Sequence, residues 1–99
     1  MAVYLVGQLH VKNWGWYNEY RTVTEALVEK YAGKYLVKGG KTEQLEGNAP
    51  PPSALVVIEF PTEEHLQQWY QDPEYEPMIQ LRKDNGVETT LLMVEGFSN

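Results

Sequence analysis

Glu59 is a carboxylate inside an otherwise apolar run, Val56-Val57-Ile58-Glu59-Phe60. A charge in that setting is costly unless something pairs with it. Lys38 is the natural partner, because a hairpin closing through residues 47–52, with Glu46 near Ser53, sets Glu59 opposite Lys38-Gly39-Gly40. As a pair they are a cross-strand structural bridge; at a pocket, Glu59 can act as a general base or accept a ligand's donor group. Arg82 is the second residue with chemistry to offer. It follows Tyr75 by seven positions and Met78 by four, which places it on their helix face rather than on a solvated one. An inward guanidinium needs an anion: Glu59, a ligand carboxylate or an acid of a partner chain. Tyr17, Tyr20, Trp69, Tyr70 and Tyr75 complete the set. Their rings suit a core, but their phenol and indole donors need partners when buried, so a ligand box stays open as the alternative.

Other chemistries are poorly provided for. The chain has no cysteine, which removes disulfides, thiol nucleophiles and thiolate metal sites together. His10 and His65 share no short spacing, so neither a metal site nor axial haem ligation is expected, and no cofactor is. Gly39-Gly40 lacks the Lys-Ser/Thr and helix start of a phosphate loop. A net charge of −6, with only eight dispersed Lys and Arg, disfavours nucleic acid and anionic membranes as partners. No apolar run approaches about 18 residues, and the N-terminus lacks a signal-like pattern, so the expected location is cytoplasmic.

These side chains need elements to hold them. Val3 to Val11 reads as a strand. Asn13 is the expected N-cap of a helix running to about Ala32, with Tyr17, Tyr20, Val23, Leu27 and Tyr31 on one stripe and Gly33 as its left-handed terminator. Lys34 to about Glu46 reads as a strand interrupted by Gly39-Gly40, a bulge or a close backbone approach. After the Ala49-Pro50-Pro51-Pro52 connection comes a strand over 53–61. Thr62 then caps a helix that breaks at Asp72, giving pieces over 63–71 and 74–83. Val87 to Val94 is the last strand.

The order β-α-β-β-α-β predicts one domain over 1–99, a ferredoxin-like α+β sandwich with a four-stranded antiparallel sheet and helices on one face. Leu55-Val56-Val57-Ile58 and Leu91-Leu92-Met93-Val94 are apolar on both alternating faces, so both sheet faces must be covered. Helices cover one. A second copy of the chain is the expected cover of the other, making a homodimer through the open sheet face.

Several motifs also carry a family resemblance. Tyr-Asn-Glu-Tyr at 17–20, Lys-Tyr-Ala-Gly-Lys-Tyr-Leu-Val-Lys-Gly-Gly at 30–40, Val-Val-Ile-Glu-Phe-Pro at 56–61, Trp-Tyr-Gln-Asp-Pro-Glu-Tyr at 69–75 and Leu-Arg at 81–82 stand in order along the chain. The sequence resembles the bacterial family called domain of unknown function 1330. The resemblance implies a ferredoxin-like protomer of the dimeric α/β-barrel superfamily, whose sheets commonly pair face to face. Its motif positions here are Tyr17, Tyr20, Lys38, Gly39, Gly40, Glu59, Trp69, Tyr70, Tyr75 and Arg82. Asn13-Trp14-Gly15-Trp16 departs from the Asp-Pro start common in the family, and the two tryptophans are candidates to narrow a pocket mouth or dock on a partner.

Two functions follow. The first is a homodimeric small-molecule binder or cofactor-independent enzyme acting on a small organic acid or aromatic. In it Glu59 and Arg82 are catalytic, and Tyr17, Tyr20, Lys38, Gly39, Gly40, Trp69, Tyr70 and Tyr75 contact the ligand. The second is a non-catalytic binding or assembly module, marked by a Lys38–Glu59–Arg82 cluster satisfied internally with no cavity beside it.

Overall fold

Alternation along β1, Val3–His10, makes a strand with one face to the core: Val3, Leu5, Gly7 and Leu9 are buried, and the residues alternating with them are half-exposed. The computed structural model describes residues 1–97. After β1 come α1 (Tyr17–Lys30), β2 (Lys34–Lys38), β3 (Ala54–Phe60), α2 (Glu63–Gln71), α3 (Glu76–Asp84) and β4 (Glu88–Glu95). The strands form an antiparallel sheet in the order β2-β3-β1-β4. This is the ferredoxin-like sandwich. Phe60, Val28, Trp69 and Tyr75 are its most deeply buried large side chains, packed with Val3, Leu5 and Ile58 between sheet and helices.

The element ends depart from expectation in instructive ways. Asn13 does not cap α1; its Oδ1 accepts from the Gly15 N–H at 3.1 Å in a local turn, and the helix begins after Trp16. At the other end Ala32, not Gly33, takes the left-handed conformation (φ 62°). Gly33 is required for closeness instead, since a Cβ there would lie 2.7 Å from Val28 Cγ1 and 2.8 Å from Phe60 Cε1. β2 stops at Lys38 rather than continuing to Glu46, because Gly39 and Gly40 (φ 72° and 87°) turn the chain out of the sheet. The bulge lies upstream, between Tyr35 and Val37. Thr62 caps α2 as expected, its Oγ1 accepting from His65 N–H at 3.2 Å. The break at Asp72 is also present, with a turn before α3 in which Asp72 Oδ1 accepts from Glu74 N–H at 2.8 Å.

Register decides which residues can meet. β2 pairs Lys34 with Glu59 and Lys38 with Val56. Alternation therefore sends Glu59 to the face without helices and Lys38 to the helix-covered face. The open face also carries Tyr4, Val6, Val57, Leu92 and Val94, aligned across β3, β1 and β4. Leu92 and Val94 are 52% and 51% exposed. Among the described residues no helix is long and apolar enough to cross a membrane.

Candidate functional site

A cavity of about 180 Å³ opens between α1 and the sheet. Its floor is made by Gly7 and Leu9 of β1, Ala54 and Val56 of β3, and Thr89 and Leu91 of β4. Gly7 occupies a helix-facing position in the alternation Val3, Leu5, Gly7, Leu9, opposite Val56 and Leu91. A larger side chain there would project into the space the cavity occupies. Trp14, Trp16, Tyr17 and Tyr20 form the wall on the α1 side, with Tyr35, Trp69 and Tyr75 as further lining. The aromatic wall is mutually packed: Trp14 and Trp16 stack at 6.2 Å, and Trp16 meets Tyr20 edge-on at 5.2 Å. Trp16 is itself fixed by its indole N–H donating to the Asn13 carbonyl at 2.6 Å.

Polar atoms in this wall lack partners. Thr24 Oγ1, Trp69 Nε1 and Thr89 Oγ1 are buried and make no hydrogen bond among the described residues. Buried polar groups are ordinarily paired, so three orphans around one cavity are unusual. Beside them, Tyr20 and Tyr75 join their hydroxyls at 3.2 Å, and the Arg82 Nη2 donates to Tyr75 Oη at 3.4 Å. Burial pushes the Tyr75 hydroxyl well above the ordinary phenol range, and the Tyr20 phenol adds to this while Arg82 opposes it. Tyr75 is therefore a neutral donor at physiological pH. Arg82 is buried at 4% exposure, lies 5.8 Å from the centroid of the Tyr20 ring, and has an unpaired Nε. Among the described residues it has no carboxylate partner.

The rim is charged. Arg21, Glu25 and Lys38 all line the opening. Glu25 bonds Arg21 Nε at 3.0 Å and also the Lys38 ammonium, which lies 4.9 Å over the Tyr35 ring. The Lys38 hydrogen bond is the main force holding the Glu25 carboxyl below its ordinary value.

Of the residues singled out in the sequence, Tyr17, Tyr20, Lys38, Gly39, Trp69 and Tyr75 come together at this cavity. Arg82 stands behind Tyr75, one hydrogen bond from the wall. Gly40 and Tyr70 are outside the lining; Tyr70 packs on Trp69 and Tyr75 at the surface. Glu59 is on the other face, where it accepts from Tyr4 Oη at 2.9 Å. The expected Lys38–Glu59 bridge is therefore not formed, because the glycine turn and the bulge set a different register and the two side chains leave opposite faces. The Lys38–Glu59–Arg82 cluster does not exist: its members bond to Glu25, Tyr4 and Tyr75 respectively. Gly7, Thr24 and Glu25 were missed. Gly7 had a readable signal, a glycine inside an apolar strand, whereas Thr24 and Glu25 look like ordinary helix-surface residues. Among the described residues no group of three His, Asp or Glu side chains is placed to hold a metal ion.

A family model described as "Domain of unknown function (DUF1330)" matches residues 2–97. No curated protein matches the chain. Among solved structures, the chain is similar to a protein of unknown function from Rhodopseudomonas palustris, with TM-score 0.79 and 14% identity over 99% of this chain and 84% of that one. It is similar to a dimeric ferredoxin-like protein of unknown function from Jannaschia sp. CCS1 (TM-score 0.65, 11% identity, 93% and 98% covered). It is also similar to SnoaB, a cofactor-independent oxygenase from Streptomyces nogalater (TM-score 0.66, 12% identity, 99% and 95% covered). At these identities the likeness is one of fold.

Proposed function

Since this chain belongs to the DUF1330 family, whose description assigns no function, we propose from its own geometry that it binds a small, largely apolar molecule in the cavity under α1. The observation that carries this reading is an aromatic-walled cavity lined by three side chains with orphaned polar atoms. A dry cavity of about 150 Å³ suffices to bind benzene, so about 180 Å³ suits a single ring. The Tyr20 hydroxyl, beside Tyr75 in the lining, supplies a hydrogen bond to an oxygen on that ring. Arg82 can only donate, so Tyr75 accepts from it and directs its own proton to Tyr20. The Tyr20 proton is then left for a ligand oxygen.

Gly7→Val tests the reading by filling the cavity floor. Bound single-ring ligand stabilises a protein by about 2.7 kcal/mol at a hundred times its Kd; the variant should lose that thermal shift while keeping its far-UV circular dichroism. An undiminished shift in Gly7→Val would place binding elsewhere. With Glu59 on the opposite face, a proton-transfer role at this cavity falls to Glu25, the carboxylate on its lining. This catalytic reading requires turnover that Glu25→Gln abolishes while the ligand still binds.

The second element of the proposal is a homodimer through the open sheet face. Its support is the apolar row Val6, Val57, Leu92 and Val94, which no helix covers. Leu92→Asp should convert a dimer to a monomer in sedimentation equilibrium. A wild-type monomer at high concentration removes this element and leaves the cavity untouched.

A further inference from the structure

The cavity and its rim differ in electrical character, and the difference specifies the ligand further. Inside, the polar atoms belong to neutral groups: the hydroxyls of Tyr20, Tyr75, Thr24 and Thr89 and the Trp69 indole. Among the described residues the one buried cation near it, Arg82, is screened from the cavity by Tyr75. At the rim, two cations share one carboxylate, leaving an excess of one positive charge in a chain of net charge −6. Those two are a quarter of the chain's eight basic residues.

We infer that the ligand is a single-ring acid, held with its carboxylate at the Arg21–Lys38 rim and its far end, bearing a hydroxyl or carbonyl oxygen, against Tyr20 and Tyr75. The inference rests on the cavity being the binding site. An ionised carboxylate among apolar walls would lose its hydration without a counter-charge, which costs several kcal/mol or more. At the rim it keeps part of its water and meets one guanidinium and one ammonium. Arg21 and Lys38 side chains are 57% and 37% exposed, so they are within reach of an arriving anion. Their present bonds to Glu25 do not oppose this strongly, because exposed ion pairs are worth only about 0.2–1 kcal/mol. Glu25 then works against the ligand: it occupies the cations the acid needs and repels its charge. A merely structural role for the trio would give Glu25 the opposite sign.

Titration calorimetry at pH 7 with 4-hydroxybenzoate and its neutral isostere 4-hydroxybenzamide tests the inference. The acid should bind roughly tenfold more tightly than the amide at low salt, and the preference should shrink in 0.5 M NaCl as the rim is screened. Lys38→Gln should weaken the acid about three- to tenfold and leave the amide unchanged, as loss of one exposed charge contact would. Glu25→Gln should tighten the acid and not the amide. Equal binding of the two probes, or weaker acid binding in Glu25→Gln, overturns the rim assignment and leaves the cavity reading standing. Binding of neither probe, or acid binding that persists in Gly7→Val, overturns both.

Discussion

Two polar clusters tie α1 to the α2–α3 segment, and they are built on opposite principles. The first centres on Asp72, whose carboxylate is buried yet accepts from Tyr31 Oη, from Lys30 Nζ at 3.1 Å and from the Glu74 N–H at 2.8 Å. The second centres on Arg82, buried as deeply, with one hydrogen bond at 3.4 Å and an unpaired Nε. A saturated cluster has nothing left to offer a guest and fixes geometry. An under-filled one, beside a cavity with orphaned donors, holds capacity in reserve. The contrast separates residues that maintain the fold from residues available for binding, and both were of the same apparent kind in the sequence: single charges near aromatic residues.

The comparison can be broken by mutation. Asp72→Ala should have the largest effect, lowering the melting temperature by roughly 10 °C, as it strands Tyr31 and Lys30 and removes the turn that starts α3. Its pH dependence has a definite sign. The Tyr31 hydrogen bond, then the Glu74 N–H, hold the Asp72 carboxyl down at about 2, below its ordinary 3.8. A lowered folded value means that the carboxylate's contribution is complete above about pH 4 and is lost as pH falls toward 2. The difference in melting temperature between parent and Asp72→Asn should therefore be constant from pH 7 to 5 and shrink below pH 4. A difference that grows on acidification would contradict the saturated description.

Tyr75→Phe should come next, costing about 1–2 kcal/mol in chemical denaturation, because it leaves Arg82 and Tyr20 without their shared partner. It should also weaken any ligand whose oxygen depends on the Tyr20 proton. Arg82→Met should have the smallest effect on stability, within about 1 kcal/mol of the parent, since a buried charge with so little compensation gains the fold little. A loss of several kcal/mol in Arg82→Met would show the guanidinium to be as structural as Asp72, and the contrast would collapse.

Much of the fold was legible because it depends on short-range patterning. The alternation of Val3, Leu5 and Leu9, the Thr62 cap and the Asp72-Pro73 break each act within a few residues. The aromatic residues of the site were legible too, since Tyr17 and Tyr20 share a helix stripe and Trp69 and Tyr75 flank the break. Glu59 was misleading because strand register, which depends on where β2 ends, decides the face on which a side chain emerges. Gly39 and Gly40 read as a bulge or a close backbone approach within a longer strand, and only their backbone angles show that they turn the chain out of the sheet.

The sequence by itself determined the element order and the apolar demand on both sheet faces, because burial and periodicity are written one residue at a time. Tertiary structure alone decided that Lys38 meets Glu25 rather than Glu59, that Gly7 lines a cavity and that Arg82 meets Tyr75 rather than Glu59. Those facts depend on which strands and helices face each other across the core, and for the strand residues a one-residue slip in pairing would reverse them.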